Sequence, residues 1–277
     1  MQLEEIIEKA LIEDLKDGDH TSLSCVPKDA QGQAKLLVKD EGVIAGIRVA
    51  KKVFKAVDPS LVVTQNIEDG DQVKKNDIAF TVEGSSQSIL SAERLALNLM
   101  QRMSGIASTT AEYVKKCHGT SAKVLDTRKT TPNLRMLEKE AVLLGGGVNH
   151  RFGLYDMIMI KDNHIDFAGG IPQALEAVKL YQEQHKFNLK VEIEARNLDE
   201  VLEIMKVNLC DRIMLDNFSI EDTKEAVKLV NSKFETESSG GITLDTIQSY
   251  AQCGVDFISV GALTHSVKSL DLSLKAF

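Results

Sequence analysis

Along the second half of the chain, Arg128, Lys161, Glu194, Asp216, Ser239 and Gly261 each stand at or just past the carboxyl end of a β-branched or apolar run. They divide by chemistry. Arg128 and its neighbour Lys129, with His150, Arg151 and Lys161, gather positive charge in a chain of formal net charge -8. An arginine fork holds a carboxylate through two hydrogen bonds and a lysine acts as a point charge, so this set calls for a substrate with more than one negative charge. His150 follows Gly145-Gly146-Gly147 and adjoins Arg151, which favours ligand contact over packing. Glu194 and Asp216 end neighbouring runs. Such a pair can share Mg²⁺ through few direct ligands, bind sugar hydroxyls, stabilise a developing cation, or salt-bridge the basic set. Last come two glycine loops, Ser239-Gly240-Gly241 and the one at Gly261. Glycine lets backbone N–H groups approach an anion closely, and a helix opening at Thr243 would add its positive end, so the two loops together favour a phosphate.

Those residues must be brought together by the elements that carry them. "AKVLDTR", "DMIMIKD", "LKVEIEA", "DRIMLDN", "FETESS" and "DFISVGA" read as strands, and helical patterns separate nearly all of them. That alternation predicts parallel strands joined by crossovers. The runs are fewer than the eight of a complete barrel, so an incomplete barrel and an open doubly wound sheet both fit; useful residues at so many strand ends suit a ring. Upstream the texture differs. Residues 33 to 83 alternate short strand-like runs with turn signals at Glu41-Gly42, Asp69-Gly70 and Asn76-Asp77, which predicts a small sheet. A long amphipathic helical stretch follows, with Leu95, Leu99 and Ile106 on its apolar face and Gly105 as its expected interruption.

Composition narrows the partners. A pI near 5.4 and the absence of tryptophan argue against a nucleic-acid surface. The amphipathic start, "MQLEEIIEKALIEDL", lacks the form of a secretion signal, and no apolar run is long enough to span a membrane. Cys25, Cys117, Cys210 and Cys253 are widely separated with no C-x-x-C pair, which predicts reduced thiols in a cytoplasmic protein.

In order, "DTRKTTPNLR", "GGGVNHRFGLYD", "IKDNH", "VEIEA", "MLDNF", "SSGGI" and "VGALTHS" closely resemble the motifs of the quinolinate phosphoribosyltransferase family. "LIEDLKDGDHTS" and "ERLALNLMQRMSGIA" extend the resemblance over essentially the whole chain. The resemblance implies an α/β fold: an N-terminal α/β sandwich over 1–108, then an incomplete, seven-stranded type of α/β barrel over 109–277 whose tail returns to the first domain. It implies a Mg²⁺-dependent transfer in NAD biosynthesis, from quinolinate and phosphoribosyl pyrophosphate to nicotinate mononucleotide, pyrophosphate and CO2. Arg128, Arg151 and Lys161 would hold the two quinolinate carboxylates, with Thr127, Lys129 and His150 beside them. Glu194 and Asp216 would face the ribose and its metal, directly or through water, and Ser239, Gly240 and Gly261 the 5′-phosphate, with His265 nearby. Lys129 is the expected donor of a proton to the ring carbanion, with Lys161 as the alternative. Arg94 would enter a partner's site, implying a homodimer or a hexamer built as a trimer of dimers.

One departure is visible: Asn133 stands where many family members have glycine, and asparagine tolerates the left-handed turn nearly as well. Two rival readings exist. Lys161 on a barrel strand could form a Schiff base, although the surrounding arginines suit anions better. "EDGDQVKKNDIAFTVEG" is similar to a biotinyl or lipoyl carrier hairpin, but no lysine stands at a second turn to be modified.

Overall fold

The computed structural model describes residues 2–277, which divide into two compact units. Of these, the first comprises residues 2–111, Thr130–Gly146 and Leu263–Phe277, and the second Glu112–Lys129 and Gly147–Ala262.

In the first unit, helices α1 (Leu3–Leu15) and α2 (His20–Cys25) precede strand β1 (Gln31–Val38), the short strand β2 (Gly42–Val43) and helix α3 (Ile47–Val57). Strands β3 (Val62–Gln65), β4 (Gln72–Val73) and β5 (Ile78–Ser85) follow, and then helix α4 (Ser86–Lys116). The small sheet expected from the sequence is antiparallel in the order β12-β1-β5-β3, where β12 (Leu272–Ala276) comes from the end of the chain and runs Ala34↔Ala276 to Val38↔Leu272 against β1. The period-two burial of β1 turns Ala34, Leu36 and Val38 to the core. Phe54 of α3 meets Phe80 of β5 edge to face, their centroids 5.9 Å apart, and burial of each ring stabilises the unit by about 1.5–3 kcal/mol.

Helix α4 runs unbroken for 31 residues, so Gly105 is not the interruption that composition led one to expect. A Cβ there would lie 2.3 Å from the Lys268 carbonyl oxygen; the glycine serves close backbone approach. Farther along the same unit, helix α5 (Arg135–Leu144) buries Glu138, which accepts from Arg102 Nε at 2.7 Å and from the Thr131 N–H at 3.2 Å. Arg102 also donates to Thr131 Oγ1 at 2.8 Å and to the Thr264 carbonyl at 3.1 Å. This arginine therefore ties the "TTPN" turn to the segment carrying His265. In that turn Asn133 has φ 68°, the left-handed conformation anticipated for it.

The second unit holds strands β6 (Lys123–Leu125), β7 (Ile158–Ile160), β8 (Val191–Ala195), β9 (Arg212–Asp216), β10 (Glu235–Ser239) and β11 (Phe257–Ser259). They are parallel in the order β6-β11-β10-β9-β8-β7, and Leu125 of β6 forms a further parallel bridge to Val148. From β7 to β11 each strand thus pairs with the next in sequence, and β6, the first, pairs with β11, the last. That cyclic order is a barrel's, not an open doubly wound sheet's. Among the described residues no ladder joins β6 or Val148 to β7, so the barrel is incomplete with six strands, and only the isolated bridge at Val148 stands where the family resemblance implied a seventh.

Helices α6 (Asp162–Ala168), α7 (Ile171–His185), α8 (Leu198–Val207), α9 (Ile220–Val230), α10 (Ile247–Ala251) and α11 (Ala262–His265) follow successive strands. Local chemistry bounds them. Asn197 caps α8 by accepting from the Glu200 N–H, Ser219 caps α9 by accepting from the Asp222 N–H, and Asn208 and Asn231 end these helices in the left-handed conformation. Thr243–Thr246 forms a turn, and α10 is a single turn of helix beginning at Ile247. The positive helix end expected at Thr243 is therefore absent, because that stretch closes on itself.

Candidate active site

Because the strands run parallel and in register, their carboxyl ends lie along one rim. Ile160 pairs with Ile193, and Ser239 with Asp216, so Lys161 and Glu194 are neighbours on one side and Asp216 and Ser239 on the other. Lys161 Nζ donates to Glu194 Oε1 at 2.7 Å, and Glu194 Oε2 accepts the Asp162 N–H at 3.1 Å. His164 Nδ1 accepts the Lys161 N–H at 2.9 Å. The "IKDNH" motif thereby becomes a clamp in which the start of α6 and one buried carboxylate fix the lysine. Asp216 accepts from Asn217 Nδ2 at 2.8 Å. Burial first, and the Glu194 charge next, raise the Asp216 carboxyl above the usual range. Two hard oxygen donors whose charges oppose each other suit a Mg²⁺ ion.

Next along this rim, Gly240 and Gly241 both have positive φ. A Cβ on Gly240 would fall 2.1 Å from Asn217 Oδ1, so only glycine fits where the loops after β9 and β10 meet. Gly241 faces open space. Beyond β6, Thr127 is half-buried and its Oγ1 accepts the Lys129 N–H at 3.0 Å, while Arg128 and Lys129 are exposed.

Arg151 lies on the segment after the Val148 stub, and its guanidinium donates to the Met157 carbonyl at 3.4 Å. Burial, and then the adjacent Arg128 guanidinium, lower its pKa despite the opposing charges of Glu192, Asp156 and Glu194. Two guanidiniums, Arg151 and Arg128, thus stand close enough to repel each other, with Glu192, Asp156 and Glu194 partly offsetting them.

The structure thus brings Arg128, Lys129, His150, Arg151, Lys161, Glu194, Asp216, Ser239 and Gly240 together in the second unit, with Gly261 just past β11. Arg94, exposed on α4, and His265, whose Nδ1 lies 2.5 Å from Ser266 Oγ, belong to the first unit.

Below the rim lies a group that sequence reasoning missed. Glu192, Arg212 and Glu237 are buried inside the barrel with His150. Arg212 donates to Glu237 Oε2 at 2.9 Å and stacks over the Phe257 ring at 3.9 Å; His150 Nε2 lies 3.0 Å from Glu192 Oε2 and 3.6 Å from Glu237 Oε2. Burial raises Glu192 to about 7, and burial with the Glu192 charge raises Glu237 to about 7. Strand periodicity carries the signal: Glu192 stands two residues before Glu194, as Glu237 does before Ser239 and Arg212 four before Asp216, so all face the barrel interior.

An incomplete parallel barrel with a glycine loop, a carboxylate pair and two neighbouring guanidiniums on one side places the chain among α/β-barrel proteins with a polar, charged rim. Comparison with known proteins makes the class specific. The chain belongs to the quinolinate phosphoribosyltransferase family: residues 19–104 match the family's N-terminal domain and residues 106–275 its C-terminal domain. It is 48% identical over 289 aligned positions to "Quinolinate phosphoribosyltransferase [decarboxylating] 2b, mitochondrial" of Nicotiana tabacum, covering 99% of this chain and 82% of that one. It is 42% identical to the "Probable nicotinate-nucleotide pyrophosphorylase [carboxylating]" of Bacillus subtilis, covering 99% and 93%. The crystal structure of NadC from Streptococcus pyogenes superposes with a TM-score of 0.94 at 39% identity, covering 99% of this chain and 95% of that one. No helix among the described residues is long and apolar enough to cross a membrane.

Proposed function

We propose that this chain converts quinolinate and phosphoribosyl pyrophosphate to nicotinate mononucleotide, pyrophosphate and CO2 in NAD biosynthesis. The observation that carries the reading is the placement of two guanidiniums, Arg151 and Arg128, close enough for the second to lower the pKa of the first, an arrangement suited to a substrate with two carboxylates. Arg128, Arg151 and Lys161 hold the two carboxylates, with Thr127 and Lys129 alongside, and the Gly240 and Gly261 loops with Ser239 take the 5′-phosphate.

Departure of pyrophosphate leaves positive charge on the ribosyl carbon, where Glu194 and Asp216 stabilise it as it develops. The same two carboxylates would hold Mg²⁺, directly or through water, which when bound offsets the charge of the diphosphate. The pyridine nitrogen then bonds to the ribosyl carbon. The resulting ring cation accepts the electron pair released as the adjacent carboxylate leaves as CO2, and a lysine ammonium supplies the proton that replaces it. The ion pair between Lys161 and Glu194 supports Lys161 as an anchor and Lys129 as the donor. The same pair speaks against a Schiff-base role for Lys161.

The four free cysteines support a cytoplasmic location. Exposure of Arg94 on α4 supports its delivery to the site of a second copy, in a homodimer or a trimer of dimers, with His265 near the phosphate. Calorimetric titration of quinolinate against nicotinate tests the dicarboxylate pocket. Quinolinate should bind at least about tenfold more tightly, the worth of one charge-assisted contact. Equal affinities would overturn the assignment of the basic set.

A further inference from the structure

The segment that carries Arg151 is held by an unusual run of side-chain acceptors. Asp126 Oδ1 accepts the His150 N–H at 2.8 Å, His150 Nδ1 accepts the Arg151 N–H at 2.6 Å, and Asp156 accepts the N–H groups of Phe152 and Gly153 at 2.6 and 2.7 Å. Four successive backbone donors are thus satisfied without a helix or a sheet ladder. His150 contributes in a way that fixes its own chemistry. A ring nitrogen that accepts a backbone N–H uses its lone pair and carries no proton, so in the neutral ring the proton sits on Nε2. That nitrogen faces Glu192 Oε2 at 3.0 Å, and Arg212 holds Glu237 behind it. Both ring nitrogens are committed inside the barrel, and His150 is buried.

From this geometry we infer that His150 is a positioning residue: it acts on quinolinate through Arg151, whose backbone it fixes, and not by touching the substrate. Glu192, held among Arg212 and Glu237, selects the ring tautomer that leaves Nδ1 free to accept. The chain of contacts runs from the charged barrel interior to the guanidinium at the rim, and it explains why an arginine on a loop can be placed as firmly as a residue on a strand. The inference rests on the quinolinate reading above.

Two measurements test it. The first is ¹⁵N-detected NMR of the histidine rings in the wild-type protein, with and without quinolinate. The expected result is a neutral ring protonated on Nε2 that keeps this state when quinolinate binds. A proton on Nδ1, or a change of state on binding, would overturn the inference. The second compares H150A, H150N and H150Q in steady-state kinetics. Asparagine can place an acceptor where Nδ1 stands, whereas glutamine reaches the Nε2 position and leaves the Arg151 N–H bare. H150A and H150Q should raise the quinolinate KM by about tenfold or more, as expected for misplacing a charged donor, with little change in the phosphoribosyl pyrophosphate KM. H150N should restore most of the loss. Equal defects in H150N and H150Q would indicate direct substrate contact and sink the proposal. If the wild type binds no quinolinate, the function reading falls instead, and the spectrum of the unliganded protein still decides the tautomer.

Discussion

Replacing Arg151 with methionine separates binding from stability at one position. Methionine keeps an aliphatic side chain in the cavity of about 340 Å³ that Arg151 lines with Leu154, Met157 and Ile160, and removes the guanidinium. In the free protein that charge is unfavourable on balance, since burial and Arg128 outweigh Glu192, Asp156 and Glu194. On the proposed function, the ligand is what that charge serves. Loss of a preorganised charged donor costs about 3 kcal/mol, or roughly 150-fold in kcat/KM. The same change relieves repulsion with Arg128, so the melting temperature should hold or rise by a few degrees. Initial rates with varied quinolinate, and a thermal melt of the same sample, read both quantities. A variant within threefold of wild-type kcat/KM, or one that melts about 5 °C lower, would refute the argument that Arg151 is strained for function.

Other changes follow from the same geometry. Lys161→Met removes the 2.7 Å partner of Glu194 and should lower kcat/KM by about a hundredfold, with circular dichroism unchanged; near-normal rates would remove Lys161 from the site. Gly240→Ala forces a Cβ against Asn217 at positive φ, and should raise the KM for phosphoribosyl pyrophosphate while leaving quinolinate binding by calorimetry close to wild type; a loss confined to quinolinate would show the loop misassigned. Glu237→Gln tests the buried pair. An acid whose folded pKa is raised from 4.5 to about 7 holds its proton more tightly when folded, so stability is highest below the unfolded pKa and falls as pH rises through this window. The variant should flatten that fall by on the order of 2 kcal/mol between about pH 5 and 7, and a melting profile parallel to wild type would contradict it.

The rim of the barrel was legible in the sequence because each useful residue follows an apolar run, and a parallel register then fixes them on one edge. Lys161 beside Glu194, and Asp216 beside Ser239, follow from that alone. The choice of barrel over open sheet did not, because it turns on the pairing of β6 with β11, across more than 130 residues of sequence, and on the Val148 bridge, which is too short to leave a pattern. The resemblance to the family supplied it. Gly105 misled because an interior glycine reads as a break, whereas here the reason is a carbonyl pressing on the helix from Lys268. The charged barrel interior was overlooked for a related reason: Glu192 and Glu237 look like solvent-facing residues of half-exposed strands until the strands are known to be covered on both faces. His150 was noticed for its neighbours, and only the bonds to both its ring nitrogens reveal what it holds.

The most direct test of the account is a single reaction followed for two products. Purified protein with phosphoribosyl pyrophosphate, Mg²⁺ and quinolinate labelled in the carboxylate next to the ring nitrogen should release labelled CO2 and form nicotinate mononucleotide in equal amounts, and nicotinate in place of quinolinate should give neither. Mononucleotide formed from nicotinate, or formed from quinolinate without matching CO2, would contradict the dicarboxylate pocket on which the account depends.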